Sequence, residues 1–157
     1  MKQLSKLLTH RRLERGQSLV EMSLGFVLLL IVLSGLVDVG RAFYIYVALE
    51  DAAGEAALYL SIDPECTNPP GLEHPEIPID CLDPNNAEYR ARHAGGANID
   101  WTNADITVEV PSNSVGNSVL VTINYQFNLL SPFMPRFAGV NPVTLTVSAS
   151  NTIIRET

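Results

Sequence analysis

The sequence predicts an α+β protein: one long N-terminal helix followed by a small antiparallel sheet of about three to four strands. Three observations carry this. From Met22 to Val37, sixteen residues pass without a charge, and a helical pattern continues through Arg41 to Leu60. Beyond residue 100, three segments alternate apolar and polar side chains with a period of two. A proline-rich stretch separates the two regimes, with Pro64, Pro69, Pro70, Pro75, Pro78 and Pro84 between residues 62 and 85.

The helix is expected from about Ser18 to about Ser61. At 1.5 Å per residue the uncharged run spans roughly 24 Å, short of a ~30 Å hydrocarbon core. Asp38 and Arg41 follow, three residues apart, so on a helix they are neighbours and can pair at the membrane edge. Tyr44 and Tyr46 suit the outer membrane–water interface, where an amphipathic ring is favoured. The first half of the helix would sit in lipid, and the second half, with Glu50, Asp51 and Glu55, would emerge into water.

The proline-rich stretch ends the helix and would be loose without a staple. Cys66 and Cys81 bracket it. On the outer side of a membrane the pair reads as a disulfide, closing a loop whose constraint is worth roughly 3 kcal/mol. Two free buried thiols are the alternative. Asn86 can cap a short helix over AEYRARHA, and Gly95 and Gly96 can end it. Ile106, Val108 and Val110 then share a face of a first strand. Val119, Val121, Ile123, Tyr125 and Phe127 share a face of a second, and Val143, Leu145, Val147 and Ala149 of a third. PSNSVGN joins the first two strands as a hairpin-type loop. The outer half of the helix, with its Ala-rich stretch 52–60, is the nearest cover for the apolar face of the sheet. LLSPFMPRFAGV (129–140) is unusually apolar for a connection. It either packs under the sheet or forms a surface patch for a neighbouring subunit or the membrane.

Charge is segregated. Residues 1–16 carry a net +4 and the remainder a net −11. An acidic body argues against nucleic-acid binding, which needs a basic footprint. The basic head favours a cytoplasmic N-terminus beside a membrane, with the rest of the chain outside.

Three readings fit this N-terminus. A secretory signal peptide has a basic head and an apolar core, but no A-x-A-like site follows the core here. A plain single-span anchor explains the apolar run but gives no use to Glu21 at its edge. A prepilin leader is cut after Gly16 on the cytoplasmic face, which leaves Gln17 as the first mature residue and Glu21 as the fifth.

The stretch RGQSLVEMSLGFVLLLIVLSGLVDVGRAFYIYVALEDAAGEAA resembles the N-terminal signature of TadE-like pseudopilins of the tight-adherence (Flp-type) pilus system. Gly16, Gln17, Val20, Glu21, Asp38, Gly40, Arg41 and Ala42 occupy the signature positions. Met22 stands where related Flp pilins often place an aromatic residue. The resemblance implies a pilin-like plan: a basic leader (1–16), a long helix (17–61) that is transmembrane in its first half, and an exported loop and sheet domain (62–157). It implies a structural minor pilin or pseudopilin, with a prepilin peptidase and other pilin or pseudopilin subunits as partners. The location would be the cytoplasmic membrane or an extracellular pilus serving adhesion or secretion. It also implies a role for Glu21: pairing with the new amine of Gln17 on a neighbouring subunit, so that neither charge is buried alone. The bland alternative is a helix-end acid favoured by the macrodipole. A rival function is a single-span exported binding protein that keeps residues 1–16.

Nothing in the chain marks an enzyme. His10, His74 and His93 show no metal-ligand spacing, although His74 and His93 could join Glu73 or Asp80. DPNNAE (83–88) lacks the glycine turn of a calcium loop. No nucleophile elbow, phosphate-cradling loop or cofactor motif is present, so no cofactor is expected.

Overall fold

A computed structural model of the chain describes residues 2–67, 81, 84–131, 139 and 142–155, with 2–15 by backbone alone. Glu73, His74 and Asp80, most of the proline-rich stretch, residues 132–138 and 140 of the apolar connection, and residue 141 lie outside the described residues, as does the side chain of His10.

One helix, α1 (Lys2–Ile62), runs for 61 residues, about 90 Å at 1.5 Å per residue. It begins well before Ser18. Residues 2–15 contain no proline or glycine and are rich in Leu, Lys and Arg, all good helix formers. Gly16, at a cost of about 1 kcal/mol relative to alanine, does not interrupt it. α1 ends as expected at the first proline. The Asp63 amide donates to the Tyr59 carbonyl (3.0 Å), and Pro64 then prevents continuation.

The expected staple is present, with Cys66 and Cys81 disulfide-bonded and their Cα atoms 5.0 Å apart. The next helix, α2 (Ala87–Gly95), is tied to this junction. The Ala87 amide donates to the Cys66 carbonyl (3.0 Å), and Asn86 Nδ2 donates to the Cys81 carbonyl (3.4 Å). Asn86 is also the cap, its Oδ1 accepting from the Tyr89 amide at 2.7 Å. Gly95 ends α2 in a tight place: a Cβ there would meet Trp101 Cζ2 at 2.6 Å. Gly96 follows at φ +77, a conformation that glycine adopts without strain.

A short 3-10 turn (Trp101–Asn103) leads into the sheet. Asp100 caps it, accepting from the Thr102 hydroxyl (2.6 Å) and amide (3.2 Å) and from Asn103 Nδ2 (2.9 Å). These donors hold the Asp100 carboxyl below its ordinary value, the Thr102 hydroxyl contributing most. Three strands, β1 (Ala104–Glu109), β2 (Ser118–Phe127) and β3 (Val143–Thr152), form an antiparallel sheet in the order β1-β2-β3. Val108 pairs with Val121, and Ile123 with both Ile106 and Val147, so the three apolar rows fall on one face. Val119, Val121, Ile123, Tyr125 and Phe127 of the central strand are buried, while Thr107, Thr144, Thr146 and Ser148 face out.

The C-terminal part of α1 covers the apolar face, with Leu49, Ala52, Ala53, Ala56, Ala57 and Leu60 all buried. Alanines on this face let the backbones of α1, α2 and the sheet come close. Ala87 and Ala91 of α2 complete the same core. Arg90 of α2 lies over the Tyr59 ring (5.3 Å). The C-terminal segment locks the helix end to the sheet, the Ile154 amide donating to the Ser61 carbonyl at 2.9 Å.

Candidate functional site

α1 changes character along its length. Its core-facing seam repeats about every seven residues: Ile31, Asp38, Ile45 and Ala52 in one row, Gly35, Ala42, Leu49 and Ala56 in the other. Below Ile31 there is no seam. From Gly16 to Leu30 every residue is exposed, including Leu19, Val20, Met22, Leu24, Phe26, Val27, Leu28, Leu29 and Leu30. The helix from Gly16 to Ile62 is long and apolar enough to cross a membrane, and among the described residues nothing covers its most apolar stretch. In water such a face is strongly unfavourable; in lipid it is the expected solution.

Gly16, Gln17 and Glu21 lie at the N-terminal end of this bare segment. Gly16 is within the helix, with nothing near the position a Cβ would take. Gln17 and Glu21 are one turn apart and exposed, and Gln17 Nε2 donates to Glu21 Oε1 at 3.0 Å. Within one chain the Glu21 carboxylate thus already reaches back along the helix toward residue 17.

Asp38 and Arg41 stand C-terminal to the bare segment, Asp38 within the seam. The expected pair is there but loose, with 3.6 Å between Arg41 Nη1 and Asp38 Oδ1. Arg41 is 44% exposed and lies over the Phe127 ring at 5.3 Å. Asp38 is 1% exposed and makes stronger contacts that sequence reasoning missed. Its Oδ1 accepts from the Leu130 amide (2.9 Å) and its Oδ2 from the Ser131 amide (3.0 Å). The carboxylate therefore clamps the chain leaving β2 onto α1. No local pattern links residue 38 to residue 130. The available signal was Asp38 itself, since an acid in an apolar helix needs donors. The apolar connection is divided at this point: Leu129 packs against the core, Leu130 is exposed and Ser131 is buried.

His93 stacks on Tyr89, ring centroids 5.8 Å apart, on the outside of α2, where Arg92 also pairs with Glu88. Among the described residues, no group of three or more His, Cys, Asp or Glu side chains could hold a metal ion.

Residues 16–58 match the family model described as TadE-like protein. The match begins at Gly16 and ends within the Ala-rich part of α1, so it covers Gln17, Glu21, Asp38 and Arg41 and none of the sheet. No curated protein and no solved structure matches the chain.

Proposed function

We propose that this chain, whose residues 16–58 match the TadE-like family, is a structural minor pilin or pseudopilin of a tight-adherence pilus or secretion apparatus. The observation that supports it best is the coincidence of two boundaries. The family match starts at Gly16, and there the charge changes from a basic head to a bare apolar helix. The basic head stays in the cytoplasm, α1 crosses the membrane, and the disulfide-stapled sheet domain lies outside.

In this reading a prepilin peptidase cuts between Gly16 and Gln17. The bond lies inside a helix, so cleavage requires local unwinding. Glycine eases this by its poor helix propensity and its lack of a side chain. Cleavage exposes the Gln17 amine. When subunits assemble through their apolar helices, Glu21 of one meets the Gln17 amine of another, and other registers leave a charge unpaired. The protein acts by assembling, not by catalysis.

The uninterrupted helix from Lys2 through Gly16 favours one rival, an anchor that keeps its first 16 residues and presents the sheet as a binding domain. The mass of the mature chain separates the two. Coexpression with a prepilin peptidase should yield a chain beginning at Gln17, and Gly16→Val should leave the full-length precursor in the membrane. Recovery of full-length parent protein from assembled pili would refute the pilin reading, as would normal processing of Gly16→Val.

A further inference from the structure

We infer that the exported domain does not hang free above the membrane: its base, built on Leu130 and the α1 surface around Asp38, is seated in the outer leaflet of the lipid bilayer. This rests on the reading that α1 spans the membrane.

The uncharged run from Met22 to Val37 supplies only about 24 Å, and a hydrocarbon core needs ~30 Å. With Glu21 at the inner boundary, about 20 residues of helix reach Arg41 before the outer boundary is met. Asp38 then lies about 5 Å inside it. A bare carboxylate would oppose this placement. Asp38 is not bare. It is 1% exposed, with both oxygens capped by amides and Arg41 alongside. The lipid-facing surface at this level is apolar: Leu36, Val37, Val39 and Phe43 are all exposed. Arg41, on a long stem, can carry its charge outward to the phosphates.

The same bonds decide where the exported domain sits. The Leu130 and Ser131 amides reach Asp38 directly, so the segment holding them lies at the depth of Asp38. Leu130 is 71% exposed although its neighbours on both sides are packed or buried. The base has a second foothold slightly further out, where Asn98 Nδ2 donates to the hydroxyl of the exposed Tyr44 at 3.0 Å. A tyrosine there, with Tyr46 nearby, suits the headgroup level. Asp38 thus serves to let an acid-bearing helix sink to its full span while drawing Leu130 into lipid.

The test uses the full chain in phosphatidylcholine vesicles, with tryptophan fluorescence quenched by a mixture of lipids brominated high on the acyl chain, for Leu130, and near its end, for Leu33. The native Trp101 gives the background; Leu130→Trp and Leu33→Trp each add one reporter. Both sites are exposed, so the fold tolerates them. The added emission of Leu130→Trp is expected to shift to the blue and to lose more than half its intensity, as Leu33→Trp does. If Leu33→Trp is quenched and Leu130→Trp is not, the span stands and the seat is refuted. If neither is quenched, the spanning reading fails and the seat with it. If Leu130→Trp is protected from both brominated lipid and aqueous acrylamide, another subunit covers it, which also overturns the proposal.

Discussion

Replacement of Asp38 by alanine should be among the most damaging single changes in the protein. The carboxylate is buried and accepts two backbone hydrogen bonds, at 2.9 and 3.0 Å. Each bond to a charged acceptor is worth about 1.5–3 kcal/mol, and leaving a buried amide without a partner costs about 1–3 kcal/mol. These figures describe the same loss from two sides and are not added. Two such bonds therefore give a destabilisation of about 3–6 kcal/mol, a large share of the 5–15 kcal/mol typical of a domain. Asp38→Asn keeps the shape and one good acceptor but turns an NH2 group toward the other amide, so about half of that loss is expected. Arg41→Ala should cost less than about 1 kcal/mol, because its ion pair is long and the guanidinium is 44% exposed. Urea unfolding of the sheet domain in detergent-solubilised full chain, followed by Trp101 emission, reads the order: parent, Arg41→Ala, Asp38→Asn, Asp38→Ala, from most to least stable. An Asp38→Ala protein within about 0.5 kcal/mol of the parent would refute the clamp, since that is the scatter of ordinary surface substitutions.

Glu21→Gln should insert and be processed nearly normally, because a neutral side chain enters lipid more easily. It should nevertheless assemble poorly in sheared-filament preparations, the Gln17 amine being left unpaired at a cost of about 3–5 kcal/mol; assembly equal to the parent would reduce Glu21 to a helix-end acid. Replacing both Cys66 and Cys81 with serine should lower stability by roughly 3 kcal/mol, and hydrogen exchange should quicken first at the Ala87 amide, which is bonded to the Cys66 carbonyl; an unchanged urea midpoint would count against the staple. The Asp100 carboxyl is held below the ordinary 3.8 by the Thr102 hydroxyl and amide. A depressed folded value means stability that is present above 3.8 and lost as pH falls through the lower folded value. The thermal midpoint of Asp100→Asn should therefore lie below the parent's at pH 7, and the gap should close once Asp100 protonates in the folded parent. A gap that does not depend on pH would show that the charge has no part in the cap.

Much of this protein was legible residue by residue, because the relevant physics is local. Sixteen uncharged residues behind a basic head mark a helix apolar enough to be a candidate membrane span, since hydropathy and length are read directly from the residues. Alternation at Val119–Phe127 marks a strand with one buried face, since side chains alternate along an extended backbone. Asn86 as a cap and Pro64 as a stop likewise follow from their own chemistry. The start of α1 was misplaced because a charge boundary at Gly16 is not a backbone boundary. What the tertiary structure alone decided is where the far ends of the chain return. Asp38 read as half of a helical pair with Arg41; the fold brought it two better donors, 92 and 93 residues away. The same holds for the Ile154 amide on the Ser61 carbonyl. Backbone amides look alike in every sequence, so the donors that meet a buried carboxylate are chosen only when the sheet has docked on its helix.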